Sequence, residues 1–187
     1  MTCRHPIEFA TLTEYWLGEV DEADEARIEE HLLGCDACGA RLDEIVSLSS
    51  GIREAFERGA VNAFVTEGFV QDMARRGVRL REYSVPRNGS VNCTVHPEDQ
   101  LLIARLEAPL EGVSRVDAIR GGDAPAHVFR DIPFDPRAGA VVLTPKIAVL
   151  RGMPSHCAQV RLVAVEGNSE RVIGDYTFIH TRYSARA

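Results

Sequence analysis

The hydrophobic period of the chain changes between residues 60 and 78, and this change divides the sequence into two halves. Before it, apolar side chains recur three or four positions apart, as they do in amphipathic helices. From Val78 onward the chain consists of short β-branched or alternating runs separated by turn residues. The sequence therefore predicts an α+β protein with two domains, a small helical bundle over 1–60 and an antiparallel β-sandwich or barrel over 78–187. Residues 61–77 are predicted to form a helical connector.

Cap and stop residues indicate where the helices of the first half begin and end. Gly18 can adopt the left-handed geometry that ends a helix, and Asp21 is a suitable N-cap for the next one. The acidic run that follows Asp21 lies where the helix dipole favours negative charge. The predicted helices cover about residues 6–17, 22–33 and 36–58.

The cysteine content and the hydropathy indicate the cellular compartment. No apolar run approaches the roughly 18–20 residues that cross a bilayer, and the N-terminus lacks the basic and apolar regions of a secretory signal. The chain has 5 cysteines, an odd number that does not favour a disulfide framework. We therefore expect a cytoplasmic protein whose clustered cysteines bind metal or do redox work.

Charge is distributed unevenly between the halves. Residues 1–60 contain 14 acidic and 5 basic side chains, a net charge of −9, whereas residues 61–187 contain 14 acidic and 16 basic ones, a net charge of +2. A segment this acidic is poorly suited to bind phosphate backbones. It predicts a protein partner with a basic surface and no direct DNA binding.

The stretch "EEHLLGCDACGARL" has the spacing of a metal site. His31 and Cys35 are four residues apart on one helix face, and Cys38 completes a C-x2-C pair at a helix-to-helix turn. A structural Zn²⁺ needs a fourth ligand, and the candidates are Cys3 and His5, both upstream. The main alternative is a dithiol redox site, because C-x2-C alone also serves that chemistry.

Residues 5–42 resemble the zinc-binding anti-sigma-factor domain. In that family a Cys or His ligand precedes a helix ending in Y-L-x-G-E-L, and an acidic helix then ends in A-H-L-x-x-C-x-x-C. The matching residues are Tyr15, Leu17, Gly18, Glu19, His31, Leu32, Cys35 and Cys38. The resemblance implies one structural Zn²⁺ held by His5, His31, Cys35 and Cys38, with Cys3 as the alternate fourth ligand. Trp16 followed by Leu17 departs from the usual Leu-Asp pair.

The resemblance also implies how such a chain acts. Members of the family wrap an alternative sigma factor, of the extracytoplasmic-function type, so that it cannot bind core RNA polymerase. Sigma factors have basic surfaces, which agrees with the acidic first half. Apolar residues of the helices are then candidates for either the bundle core or partner contact, namely Leu12, Trp16, Ile45, Ile52 and Phe56.

The second half contains thiols and imidazoles without a recognisable catalytic motif, so we expect no enzyme. Cys93, His96, His156 and Cys157 are candidates for a second metal site. The alternative is that the thiols here are buried and the histidines, including His127 and His180, are on the surface. The β domain is expected to sense a signal or to modulate the helical one. Two other functions remain open, a thiol redox or zinc-sensing switch and a zinc hydrolase that uses the β-domain histidines.

Overall fold

The structure is a computed structural model that describes residues 3–122, 126–167 and 169–184. It divides into two compact units, a helical unit that ends at Glu54 and a β unit that begins at Ala55. The predicted α+β class is confirmed, because helices precede two β-sheets. The unit boundary falls earlier than residue 60, because the end of the third helix buries Phe56 in a core cluster of the β unit.

Two helices and most of a third form the helical unit, and the end of the first helix and the start of the second follow the predicted caps. Gly18 has φ +71° and its N–H bonds the Tyr15 carbonyl at 3.0 Å, while the Asp21 carboxylate accepts from the Asp24 N–H at 2.8 Å. The core of this unit is small, with one buried residue from each helix packed together: Leu12, Ile28 and Ile45. The helices are α1 (Phe9–Leu17), α2 (Glu22–Gly34) and α3 (Asp36–Glu57).

The β unit contains nine strands and two helices in the described residues. Short β-branched runs and turns form these strands, as the sequence predicts. The strands are β1 (Ala63–Val65), β2 (Leu80–Val85), β3 (Ser90–Cys93), β4 (Leu101–Glu107), β5 (Val116–Gly122), β6 (His127–Phe129), β7 (Ala140–Thr144), β8 (His156–Glu166) and β9 (Ser169–His180). The helices are α4 (Glu67–Arg75) and α5 (Ile147–Leu150).

The strands form two sheets, ordered β1-β7-β4-β2 and β3-β9-β8-β5-β6. Most neighbours are antiparallel, as predicted, but β2 pairs with β4 and β3 pairs with β9 in parallel. Strand β3 lies between β2 and β4 in the chain but belongs to the other sheet, so it forms part of the crossover that the parallel β2-β4 pair requires. The crossover between β3 and β9 is longer and contains strands β4 to β8.

The main core of the β unit is built from residues of both sheets. Leu106, Leu162 and Tyr176 are almost completely buried in it. The Tyr176 hydroxyl donates to the Glu107 carbonyl at 2.6 Å, which satisfies its polar atom inside the core. Burial also raises the pKa of Tyr176 to about 12.

Residues 61–77 form part of the β unit rather than a separate helical connector. Strand β1 pairs with β7, and Thr66 caps α4 by accepting from the Phe69 N–H at 3.3 Å. Val70 and Met73 of α4 are buried in the second core cluster of this unit. The β-branched Val65 and Thr66 explain the difference, because they favour extended backbone ahead of the helix.

Gly59 lies in a close approach that the β unit tolerates only without a side chain. At φ +62°, a Cβ would lie 1.8 Å from Ile147 Cγ2 and 2.8 Å from the Gln100 carbonyl oxygen. Gly77 has a similar φ of +78° with nothing within 4 Å of an added Cβ. We expect Gly59→Ala to lower the free energy of unfolding by about 2–5 kcal/mol, from backbone strain plus overpacking.

The matched variant Gly77→Ala isolates the backbone strain and is expected to cost about 1–2 kcal/mol. Urea unfolding followed by far-UV circular dichroism measures both. Equal losses for the two variants would contradict the packing described at Gly59.

Candidate metal centre

Four side chains of the helical unit meet at one point. Cys3 precedes α1, His31 lies in the last turn of α2, Cys35 separates α2 from α3, and Cys38 lies in the first turn of α3. One donor atom from each, three Sγ atoms and an imidazole nitrogen, lie within 4.8 Å of one another. His31 Nε2 is 3.6 Å from Cys3 Sγ and 3.3 Å from Cys38 Sγ.

The local backbone brings these ligands together. Helix α2 ends at Gly34, and Cys35 is extended, with φ −135° and ψ 92°. The N–H groups of Cys38 and Gly39 then bond the Cys35 carbonyl at 3.1 and 3.0 Å, which begins α3 at once. This single-residue link turns the chain so that His31, Cys35 and Cys38 face the same point.

The donor set and its spacing fit Zn²⁺. Three thiolates and one imidazole are a common structural zinc set, with metal–ligand bonds of about 2.0–2.3 Å. A tetrahedron with such bonds has edges of about 3.3–3.8 Å between donors, which matches the two separations around His31 Nε2. Cys3, His31, Cys35 and Cys38 therefore form a single tetrahedral zinc site.

The electrostatics of the thiols also favour a bound cation. The backbone N–H of Cys38, followed by the Cys3 thiol, lowers the pKa of Cys35 to about 7. Desolvation and then the neighbouring Cys35 raise the pKa of Cys3. The thiolate that forms first thus opposes ionisation of the second, and a divalent cation among them removes that repulsion.

The preference for His5 as fourth ligand is corrected in favour of its alternate, Cys3. His5 is exposed and lines the same pocket, but it is not one of the four residues whose donor atoms gather. Helix α1 begins at Phe9 instead of residue 6, so the residues before it are not helical and extend farther per residue. The metal is therefore reached by a residue two positions earlier than expected.

The four residues predicted as a second metal site are not brought together. His156 and Cys157 are adjacent on β8 and therefore point to opposite faces, which leaves Cys157 exposed. His96 lies in a turn beside Glu98 and the ring of Tyr183. In the described parts of the chain, the cluster around Cys3 is the one group of three or more such ligands with gathered donor atoms.

The alternative for the β unit, in which its thiols are buried and its histidines lie on the surface, is wrong for two residues. Cys93 is buried as expected, but the thiol of Cys157 is not. His180 is 4% exposed rather than a surface residue. Sequence alternation contained this signal, because His180 shares its strand face with the buried Tyr176.

The five apolar residues proposed for core or partner contact separate into two groups. Leu12 and Ile45 lie in the core of the helical unit, and Phe56 is buried in the β unit. Trp16 is 43% exposed and Ile52 50% exposed. Only these last two remain accessible to a partner.

The site and fold define a zinc-stabilised helical module followed by a β unit. Residues 10–39 match the model of a family described as "Putative zinc-finger", and this segment contains three of the four ligands. No curated protein matches the chain. Among solved structures, the N-terminal domain of phage TP901-1 ORF48 is similar, with 12% identity, a TM-score of 0.35, and coverage of 56% of this chain and 99% of that one. None of the described helices is long and apolar enough to cross a membrane.

The fourth ligand can be tested with two neighbouring substitutions. We expect Cys3→Ala to lose most of the bound zinc, about 10-fold or more in affinity, because it leaves a three-ligand site. His5→Ala is the matched control and is expected to retain one zinc per chain. Metal content by plasma mass spectrometry and competition with a chelator measure both. Zinc loss in His5→Ala with retention in Cys3→Ala would reverse the assignment.

Proposed function

We propose that the chain is an anti-sigma factor that sequesters an alternative sigma factor of the extracytoplasmic-function type. The observation that carries this proposal is the zinc site, together with the zinc-finger family match over residues 10–39 and the resemblance described above. In this function the chain acts by occlusion in the cytoplasm, without catalysis and without direct DNA contact. The zinc ion holds the helices in the arrangement that binds the partner.

The charge of the helical unit supports a basic partner. Glu22, Glu25, Glu29 and Glu30 are exposed on α2, and the one arginine of this helix, Arg27, pairs with Asp24. Such a surface attracts a basic protein and increases the rate of encounter at low salt. The DNA-facing side of a sigma factor has this chemistry.

Apolar side chains on the same unit supply a contact surface. Trp16 of α1 donates its indole N–H to Ser49 Oγ of α3 at 3.2 Å, and Ile52 lies one turn beyond Ser49. Leu48 precedes Ile52 by four residues on α3 and is also exposed. We call Trp16, Leu48 and Ile52 the apolar patch. A partly exposed tryptophan beside aliphatic side chains is typical of the residues that dominate binding energy.

A binding experiment with the apolar patch tests the proposal. We expect Trp16→Ala and Ile52→Asp each to weaken the complex with the cognate sigma factor at least 10-fold, about 1.4 kcal/mol, with zinc retained. Val172→Ala removes an equally exposed apolar side chain from the β unit and should leave the affinity unchanged. Trp16 is the only tryptophan, so its fluorescence in the unmodified chain reports partner binding directly.

Inhibition of transcription provides the functional readout. Transcription should be inhibited when the sigma factor is incubated with the unmodified chain before core RNA polymerase is added, and much less when Trp16→Ala is used instead. Failure of the zinc-loaded chain to bind any extracytoplasmic-function sigma factor from the same genome would contradict the proposal.

One observation favours a second role as a thiol switch. The Sγ atoms of Cys3, Cys35 and Cys38 all lie within 4.8 Å, so two of them can form a disulfide after a small movement. Oxidation by peroxide would convert two thiolates and H2O2 into a disulfide and two hydroxide ions, and it would release Zn²⁺. A helical unit with so small a core would then lose the energy that folds it.

Peroxide titration tests this second role. We expect zinc, followed by a chromogenic chelator, and partner to be released together, and both to be restored by a dithiol reductant. Partner retention after complete zinc loss would exclude the switch without affecting the sequestration proposal.

A further inference from the structure

A small cavity opens between the two sheets of the β unit. Three of its residues form one row across adjacent strands, because Cys93 on β3 is paired with His180 on β9, which is paired with His156 on β8. All three line the cavity, and Leu102 and Leu143 line it from the other sheet. Its volume is about 40 Å³, enough for several atoms or a few waters.

His180 is an unsatisfied polar residue in this cavity. The ring is 4% exposed, and neither nitrogen has a partner in hydrogen-bond geometry. Burial, and then the neighbouring His156, lower the pKa of His180, which favours the neutral ring. The nearby Leu150 carbonyl opposes this shift, but it does not reach hydrogen-bond geometry with either ring nitrogen. A neutral ring keeps one N–H donor. Leaving that donor unpaired costs free energy that a bound group would recover.

His156 presents a second nitrogen to the same space. Its ring centroid lies 5.0 Å from that of His180. Its Nδ1 lies 2.9 Å from the Pro154 carbonyl, which accepts a hydrogen bond only if Nδ1 carries the proton. The Nε2 atom is therefore left for a ligand or for water.

Arg120 supplies a positive charge that has no carboxylate partner among the described residues. Its guanidinium donates to the neutral Asn62 Oδ1 at 3.0 Å, and burial lowers its pKa. None of the described residues that line the cavity is an aspartate or glutamate. Elsewhere in this unit arginines pair with carboxylates, as Arg115 does with Asp117 and Arg161 with Asp175. A partly buried cation is usually paired, so the Arg120 guanidinium favours an anion beside it.

The remaining walls are apolar. Phe178, Leu143 and Val160 contribute hydrocarbon to the cavity, so its occupant must combine a charged group with a short apolar part. A metal ion fits less well, since the donor atoms of Cys93, His156 and His180 do not gather as those of the zinc site do. Burial also raises the pKa of Cys93 to about 11, which keeps it a thiol.

The geometry points to a binding site for a small aliphatic monocarboxylate, whose carboxylate contacts Arg120 and His180 and whose alkyl chain lies against Phe178. The site belongs to the β unit alone and does not depend on the identity of the sigma partner. A carboxylate would pair with the partly buried Arg120 guanidinium and would also accept a hydrogen bond from a His180 N–H. Its two oxygens suit the fork of donors that arginine presents.

Calorimetric titration of the zinc-loaded full chain with sodium butyrate tests the site. We expect butyrate to bind at one site per chain, at least 10-fold more tightly than n-butylamine, which has the same chain and the opposite charge. Arg120→Gln can keep the bond to Asn62 and should weaken butyrate at least 10-fold. Arg161→Gln, on the opposite face of the neighbouring strand, should change the affinity less than 2-fold.

A measurement on the unmodified chain keeps the test independent of variant folding. In a long-range ¹H–¹⁵N spectrum, butyrate should shift the ring signals of His180 and His156 and leave those of the exposed His127 in place. The proposal is overturned if butyrate and its homologues from acetate to hexanoate shift the ring signals of neither His180 nor His156. It is also overturned if butylamine binds equally well, or if a second equivalent of zinc occupies Cys93 and the two histidines.

Discussion

Coordination of one metal ion by residues that precede, end, connect and begin its helices is the interaction on which the helical unit depends. Its apolar core contains one buried residue from each helix, Leu12, Ile28 and Ile45, which is little for a segment of this length. The four ligands come from before α1, from the end of α2 and from the start of α3. The metal therefore fixes the ends of elements that apolar contacts alone would hold weakly. Because the metal supplies this stability, apolar side chains such as Trp16 can remain exposed on the surface and need not be buried in the core.

The helix ends and three zinc ligands could be predicted from sequence because local chemistry determines them. Gly18 and Asp21 act within one helical turn, and His31, Cys35 and Cys38 lie within seven residues of each other. The choice between Cys3 and His5 required the length of the non-helical segment before α1. That length depends on where α1 docks, which a periodic pattern does not specify.

The β unit shows a similar division between local and non-local information. Alternating runs predicted the presence of strands, but not that β2 and β3 belong to different sheets, since sheet membership is decided by distant partners. The cavity illustrates the same limit. Arg120 and His180 are 60 positions apart in sequence, and their common environment arises only through the pairing of β5, β8 and β9. The sequence alone does not distinguish Arg120 from the strand arginines that have an ion-pair partner.

The replacement of an expected imidazole by the Cys3 thiolate changes the charge of the metal centre. Two thiolates and two neutral imidazoles around Zn²⁺ would form a neutral complex, whereas three thiolates and one imidazole carry one net negative charge. Occupied by zinc, the first 60 residues thus become one unit more negative than the −9 of their acidic and basic side chains. The same excess charge makes the sulfur atoms more electron-rich. The metal centre that stabilises the helices therefore also adds to the negative field of the helical unit, and its sulfur atoms react more readily with electrophiles.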